Sequence, residues 1–266
     1  MNGENGLGIL IPSCDNYSDA WAPFFHLFFR HWPDPDYPIY LVSNQQDFAQ
    51  RGIRNIRVGP DVDWSANLIS ALDRIPESHL LIILEDYFLT EPADLPAIDE
   101  LFRHQCRSDV GYLRLYPCPG PREITGNVAG YGIGVIDRGV PYRTSLQAAI
   151  WKKSLLRNLL RAGESAWDFE SEGTRRSNEM EEVFASVAGD LEGRLPLKYL
   201  CTAIISKYWT KEAVALCSRH SIPIDFGKRR MEPWYRRMNR SPFYQTVHQR
   251  IRKAKEFTRY FRNTSR

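Results

Sequence analysis

His79-Leu80-Leu81-Ile82-Ile83-Leu84-Glu85-Asp86-Tyr87-Phe88-Leu89 is the stretch that decides the fold. From Leu80 to Leu84 it is continuously apolar, which suits a strand covered on both faces. It ends in two adjacent carboxylates, Glu85 and Asp86. In open α/β sheets, ligands bind outside the carboxyl ends of the strands. Neighbouring acids there repel one another unless a cation intervenes. A hard divalent ion, Mg²⁺ or Mn²⁺, takes oxygen ligands and bridges to phosphate oxygens. A turn cap or a solvent-facing corner is the competing explanation of the same dipeptide.

Strand and helix patterns alternate on both sides of this stretch. Leu7 to Ile11 is a short apolar run stopped by Pro12, and Ser13 to Tyr17 follow as a loop. Ser18 or Asp19 is placed to cap a helix through Trp21, Phe24, Phe25, Phe28 and Phe29. The proline-rich run from His31 to Pro38 ends it. Pro38 to Ser43 reads as a second strand and Ile53 to Val58 as a third. Asp63 or Ser65 can cap the next helix, in which Trp64, Leu68, Leu72 and Ile75 share a face. Beyond the central stretch, Leu95 to His104 reads as a helix and Val110 to Tyr116 as a strand. Pro117 to Tyr142 is rich in glycine and proline without periodicity, and loops of that length are usually functional or mobile. Ser145 to Trp151 is a further strand, and Ser154 caps a helix through Leu160. Ala162-Gly163 closes that helix before Ser165 starts another. The order predicts an α/β, Rossmann-like domain over residues 1–226: a mostly parallel central sheet with helices on both faces.

Composition narrows the class. Of the 266 residues, 43% are apolar and 25% charged, as in a water-soluble globular protein. No apolar run reaches the roughly 18 residues that span a bilayer. Met1 to Gly6 lacks the basic start and apolar core of a signal peptide, so a cytoplasmic location is expected. The five cysteines are odd in number and form no CxxC pair, which predicts reduced thiols. Six histidines are scattered without metal-ligand spacing.

The charge is uneven. Residues 227–266 hold thirteen Lys/Arg against two acids, net +11, so the rest carries −8 of a whole-chain +3. Within this extension Tyr244, Val247, Ile251, Ala254, Phe257 and Phe261 recur every three or four positions among basic residues. The pattern predicts a basic amphipathic helix. It can pack on the domain or on a second copy of the chain, as in a homodimer, or lie on an anionic membrane surface as a peripheral contact. Nucleic acid ranks last, because no motif for it is present.

The run from Leu80 to Pro92 resembles the strand, acidic cluster and following proline of GT-A fold glycosyltransferases, in particular family 2-like bacterial enzymes. The resemblance extends in order over Leu7 to Leu195. It implies that Pro12, Ser13, Asp15 and Asn16, with Ser43 and Asn44, contact the nucleoside of a nucleotide-sugar donor. It further implies donor contacts from Ser65, Asn67, Glu85, Asp86 and Tyr87, with Glu85 and Asp86 holding the divalent cation. The third position of the acidic cluster is Tyr87 where the family's D-x-D pattern has a carboxylate. Arg114, Arg122, Arg138 and Arg143 are therefore candidates to neutralise the diphosphate. The segment from Gly163 to Glu170 resembles the acceptor side, where an acid takes the proton of the attacking hydroxyl. Asp168, Glu164 and Glu170 are the candidates for this catalytic base.

The implied reaction is sugar transfer to a saccharide or lipid-linked saccharide in cell-surface polysaccharide synthesis. Its simplest scheme is a single inverting displacement. Ser165 with Asp168 reads equally as a capping pair. Trp151 and Trp167 offer faces to a sugar ring or to the core. Two rivals keep the same acidic pair. One is a metal-dependent nucleotidyl- or phosphotransferase, and the other is a nucleotide-sugar binder without catalysis.

Overall fold

The computed structural model describes residues 6–189 and 193–233. The amphipathic helix expected at 244–261 lies outside the described residues.

The first strand, β1 (Leu7–Ile11), ends at Pro12 and leads through a short 3-10 turn into α1 (Ser18–His31). Trp21, Phe24, Phe25 and Phe28 repeat at helical spacing and are buried. Neither Ser18 nor Asp19 caps this helix. Tyr17 holds the cap position, and the Asp19 carboxylate is committed to Arg229 instead. Next come β2 (Ile39–Ser43), β3 (Ile53–Arg57) and α2 (Trp64–Leu72). Of the two caps considered for α2, Asp63 is the one used, accepting from the Ala66 amide at 2.8 Å.

The central stretch forms β4 (His79–Ile82), followed by the two-residue β5 (Phe88–Leu89). Then come α3 (Leu95–Arg107), β6 (Val110–Arg114), β7 (Gly126–Val128) and β8 (Tyr131–Val135). The unpatterned central segment thus carries a hairpin, β7–β8, at the sheet edge. After it lie β9 (Ala149–Lys152), α4 (Lys153–Leu159), α5 (Ala166–Ser177) and β10 (Val183–Gly189). Ser154 does not cap α4. The helix starts one residue earlier, and the Lys153 amide is satisfied by the Ser78 carbonyl at 2.8 Å. The chain closes with β11 (Tyr199–Leu200), β12 (Ile204–Ile205), β13 (Tyr208–Trp209) and α6 (Lys211–Arg219).

Nine strands form one sheet in the order β3-β2-β1-β4-β9-β6-β10-β8-β7. Strands β3, β2, β1 and β4 are mutually parallel, and β6 pairs parallel with β10. Strand β9 is antiparallel to both β4 and β6, and β8 to both β10 and β7. Seven of the nine therefore run in one direction, with β9 and β8 reversed. Helices cover both faces. Leu81 packs among residues of α1, α3 and α6, while Leu80 and Ile82 pack with α2, α4 and α5. This two-sided cover is what the unbroken apolar run of β4 requires. Trp151 belongs to the same core at 1% exposure, so it offers no face to a sugar.

Three of the arginines considered as diphosphate partners hold the fold instead. Buried Arg114 donates to the carbonyls of Pro119, Tyr142 and Arg143 and so ties both ends of the central segment. Arg143 donates to the Ile136 and Ser177 carbonyls, and Arg138 to that of Met180.

Replacing Arg114 by Met leaves those carbonyls without their donor. The expected loss is about 3 kcal/mol of stability, measured by urea unfolding. Nucleotide affinity of the folded variant should match the unsubstituted protein.

Candidate functional site

The carboxyl ends of β1, β2 and β4 lie side by side, because these strands are parallel neighbours. Above them the starts of α2 and α5 are tied together. The Ser65 amide donates to the Glu164 carbonyl at 3.1 Å, and the Gly163 amide donates to Asp63 Oδ2 at 3.0 Å. Asp63 thereby caps α2 and anchors the α4–α5 connection at once. Between these elements opens a cleft of about 510 Å³. Pro12, Ser13, Cys14 and Tyr17 form one wall, and Leu84, Glu85 and Asp86 form the floor. Asp61 to Trp64 with Asn67, and Ser165 to Asp168, form the opposite rim.

Five carboxylates line this cleft: Asp61, Asp63, Glu85, Asp86 and Asp168. No Lys, Arg or His side chain lines it among the described residues. Burial pushes the Glu85 carboxyl well above the usual range, and the adjacent Asp86 pushes it further. A hydrogen bond with Ser13 and the positive charge of Arg229 oppose the shift. Burial also raises Asp86, against the Thr202 hydroxyl and Arg229. Thr202 Oγ1 donates to Asp86 Oδ2, and the Ala203 amide donates to the Asp86 carbonyl at 2.7 Å.

The cleft brings together Pro12, Ser13, Asn67, Glu85, Asp86 and Asp168. Asn67 is oriented by Asp61, which accepts from its Nδ2 at 2.7 Å. The other expected site residues do not line it. Asp15 accepts from the amides of Asn44, Gln45 and Gln46, locking the β1–α1 loop to the end of β2. Asn44 answers by accepting from the Asp15 amide at 3.0 Å. Ser43 donates to the Gln46 carbonyl at 2.6 Å, and Asn16 is exposed. Ser65 is fully buried inside α2. Tyr87 faces away from the cleft, stacked on Tyr199 with ring centres 4.7 Å apart.

Of the three candidate bases only Asp168 reaches the cleft. Glu164 is clasped by both terminal nitrogens of Arg176 at 2.6 and 2.7 Å. Glu170 accepts from the Leu146 amide at 2.8 Å. Asp168 sits in a capping box with Ser165, whose hydroxyl and amide both donate to Asp168 Oδ2. The Ser165 hydroxyl, then its amide, hold the Asp168 carboxyl below the usual range. Beside it Trp167 is 76% exposed, on a rim shared with Val62 at 74%.

Sequence reasoning missed Thr202 and Arg229. Thr202 is 116 positions from Asp86, and no local pattern marks it. Arg229 belongs, by sequence, to the basic extension. Lys228, Arg229 and the Glu232 amide are all tied into the body, so the body continues past the expected boundary at 226.

No family model matches the chain, and no curated protein matches it in sequence. Among solved structures it is similar to an S. aureus TarS fragment in complex with UDP. That match has 8% identity and a TM-score of 0.47, covering 68% of this chain and 57% of that one. It is also similar to 2-C-methyl-D-erythritol 4-phosphate cytidylyltransferase from Thermus thermophilus. There the identity is 12% and the TM-score 0.45, covering 81% and 98% of the two chains. A third is CMP:2-keto-3-deoxy-manno-octonic acid synthetase complexed with CTP. Its identity is 10% and its TM-score 0.41, covering 69% of this chain and 88% of that one. No helix among the described residues is long and apolar enough to cross a membrane.

The raised Glu85 carboxyl has a signed consequence. The folded protein holds this proton more tightly than the unfolded chain does, so stability falls as pH rises from about 4.3 through neutrality. Glu85→Gln removes that proton uptake and relieves Asp86 of its neighbour's charge. Melting temperatures in chelator are expected to fall less with pH in the variant, which overtakes the parent protein on the alkaline side. Parallel curves would place the uncompensated charge elsewhere.

Proposed function

We propose that the chain is a glycosyltransferase that takes a sugar from a nucleotide-sugar donor. The observation that carries this reading is the pairing across one cleft of two groups. An acidic pair, buried Glu85 and half-buried Asp86, lies just past the end of β4, and the Ser165-held carboxylate of Asp168 with an exposed tryptophan lies on the α5 rim. The first suits a diphosphate leaving group through a divalent cation. The second suits an attacking hydroxyl on a sugar ring.

The fit of a metal to this floor can be tested on its own chemistry. Glu85 and Asp86 supply two hard oxygen donors, and burial holds both carboxyls above their usual range. Among the described residues no group of three or more His, Cys, Asp or Glu side chains could hold an ion. Mg²⁺ commonly binds through one or two carboxylates and completes its shell with water and substrate phosphates. Glu85 and Asp86 would hold such an ion, which would neutralise charge on the departing diphosphate. Among the described residues the lining carries no basic side chain to do this in its place.

The chain's own groups account for the rest. Ser165 fixes one oxygen of Asp168, and the start of α5 favours its charged form. Asp168 thus stands ionised at neutral pH, ready to take the proton of an acceptor hydroxyl. The face of Trp167 is the platform on which the acceptor ring would lie. A single displacement with inversion needs no second carboxylate. The absence of Lys and Arg from the described lining favours this reading over nucleotidyl transfer, since a triphosphate would bring still more negative charge into the cleft. A lipid-linked saccharide as acceptor, met at a membrane surface, rests on the basic sequence of 227–266.

Thermal shift against nucleoside diphosphates with and without Mn²⁺ tests the donor site. Stabilisation by one of them, dependent on Mn²⁺ and lost in Asp86→Ala, is expected. Silence toward every nucleotide would sink the proposal. For the base, Asp168→Asn should lower kcat about 100-fold or more while donor affinity holds. Unchanged turnover would remove Asp168 from that role.

A further inference from the structure

The wall formed by Pro12, Ser13, Cys14 and Tyr17 is a loop between β1 and α1. On one side it is locked to the end of β2 through Asp15. On the other side it is held from the far end of the chain. Arg229 Nε donates to Asp19 Oδ2 at 2.8 Å, and its Nη2 donates to Asp19 Oδ1 at 3.2 Å. The same Nη2 reaches the Asn16 carbonyl at 3.0 Å. The guanidinium lies 4.7 Å from the ring centre of Tyr17 and 5.8 Å from that of Trp209. Lys228 Nζ adds bonds to the Asp15 carbonyl at 2.8 Å and the Ser18 hydroxyl at 2.6 Å.

The anchoring segment is itself fixed. The Trp209 amide donates to the Arg230 carbonyl at 2.9 Å, and the Glu232 amide donates to the Trp209 carbonyl at 2.8 Å. Trp209 closes the β12–β13 hairpin, and the Thr202-Ala203 pair that enters this hairpin holds Asp86. One C-terminal unit therefore grips both the floor of the cleft and its wall. The Arg229–Asp19 pair is almost dry, with side chains 6% and 0% exposed. Such a pair is a weak source of stability, because desolvation offsets its attraction, but its forked geometry fixes one arrangement.

We propose that Arg229 is a positioning residue of the donor site: it holds the β1–α1 loop in register with the acidic floor, so that Ser13 and Tyr17 meet a bound nucleoside diphosphate. This rests on the donor-site reading above. Arg229 itself does not line the cleft. It touches the loop through Asn16, Asp19 and the Tyr17 ring, and its charge is felt at Glu85 and Asp86 as well.

Two readouts test it. Cys14 stands in this loop, half-buried, with its thiol pushed up to about 11 by burial and by Glu85. Its alkylation by iodoacetamide, followed by peptide mass, reports how well the wall is held and needs no nucleotide. Titration with UDP and Mn²⁺ reports the donor site. Arg229→Met should speed Cys14 alkylation and weaken UDP binding, each about tenfold, at a temperature where the variant is folded. Arg229→Lys should recover part of both, and Lys228→Ala should shift both about threefold. If Arg229→Met does not fold, the Lys228→Ala and Arg229→Lys pair carries the test. Unchanged Cys14 alkylation in the folded variants overturns the clamp, whatever the nucleotide does. Faster alkylation with UDP affinity intact overturns its role at the donor site. If the parent protein binds no nucleoside diphosphate, the donor-site reading fails, and Cys14 alone then decides whether Arg229 sets the loop.

Discussion

A strand that is dry on both faces carries its dryness past its own end. Strand β4 lies between β1 and β9 with helices above and below, and the chain leaves it through Ile83 and Leu84 into Glu85 and Asp86. Glu85 is only 7% exposed. Two neighbouring carboxylates in such a place are costly unless hydrogen bonds and opposite charge reach them. The fold answers from three distant segments: Ser13 after β1, Thr202 before β12 and Arg229 near the end of the described chain. Together these partners offset only part of the upward shift.

The architecture was legible in the sequence because its signals are local. The apolar run of β4, the Asp63 and Ser165 caps and the spacing of the α1 aromatics each lie within a few residues. They reappear as β4, α2, α5 and α1. The misplacements share one cause, a tertiary partner that outcompetes a local one. Asp19 gives up a cap for Arg229, and Ser154 lies inside α4 because the helix starts at Lys153, whose amide donates to the Ser78 carbonyl. The hairpin between 126 and 135 hid in a segment without alternation, since its order comes from Arg114 and from pairing with β10. At the site, the sequence marked the acidic pair and Asp168. It could not show that the Asp15 carboxylate, the Ser43 hydroxyl and the Asn44 side-chain oxygen are spent on nearby backbone. Thr202 and Arg229 lay too far along the chain to carry any local signal.

The uneven charge of the sequence also gains a location. The acidic excess of the body converges on the cleft lining, where five carboxylates meet no basic side chain among the described residues. The basic extension begins by serving the body, because Lys228 and Arg229 fold back onto the β1–α1 loop. Charge that looked like a separate tail thus starts as part of the architecture behind the site.

Asp168 sharpens the relation between stability and chemistry. As a local pattern, Ser165 with Asp168 is a helix cap, and a cap alone would explain why both residues stand there. The cap uses Asp168 Oδ2, which accepts both the amide and the hydroxyl of Ser165. Those two bonds orient the carboxylate and keep it charged, and orientation and charge are what a base at a cleft edge needs. Glu164 and Glu170 show the contrast. Arg176 holds both oxygens of Glu164, and Glu170 is turned to the Leu146 amide. Neither of them lines the cleft. Under the proposed function, capping and proton transfer are therefore not rival roles for Asp168, because the cap that holds the carboxylate also aims it.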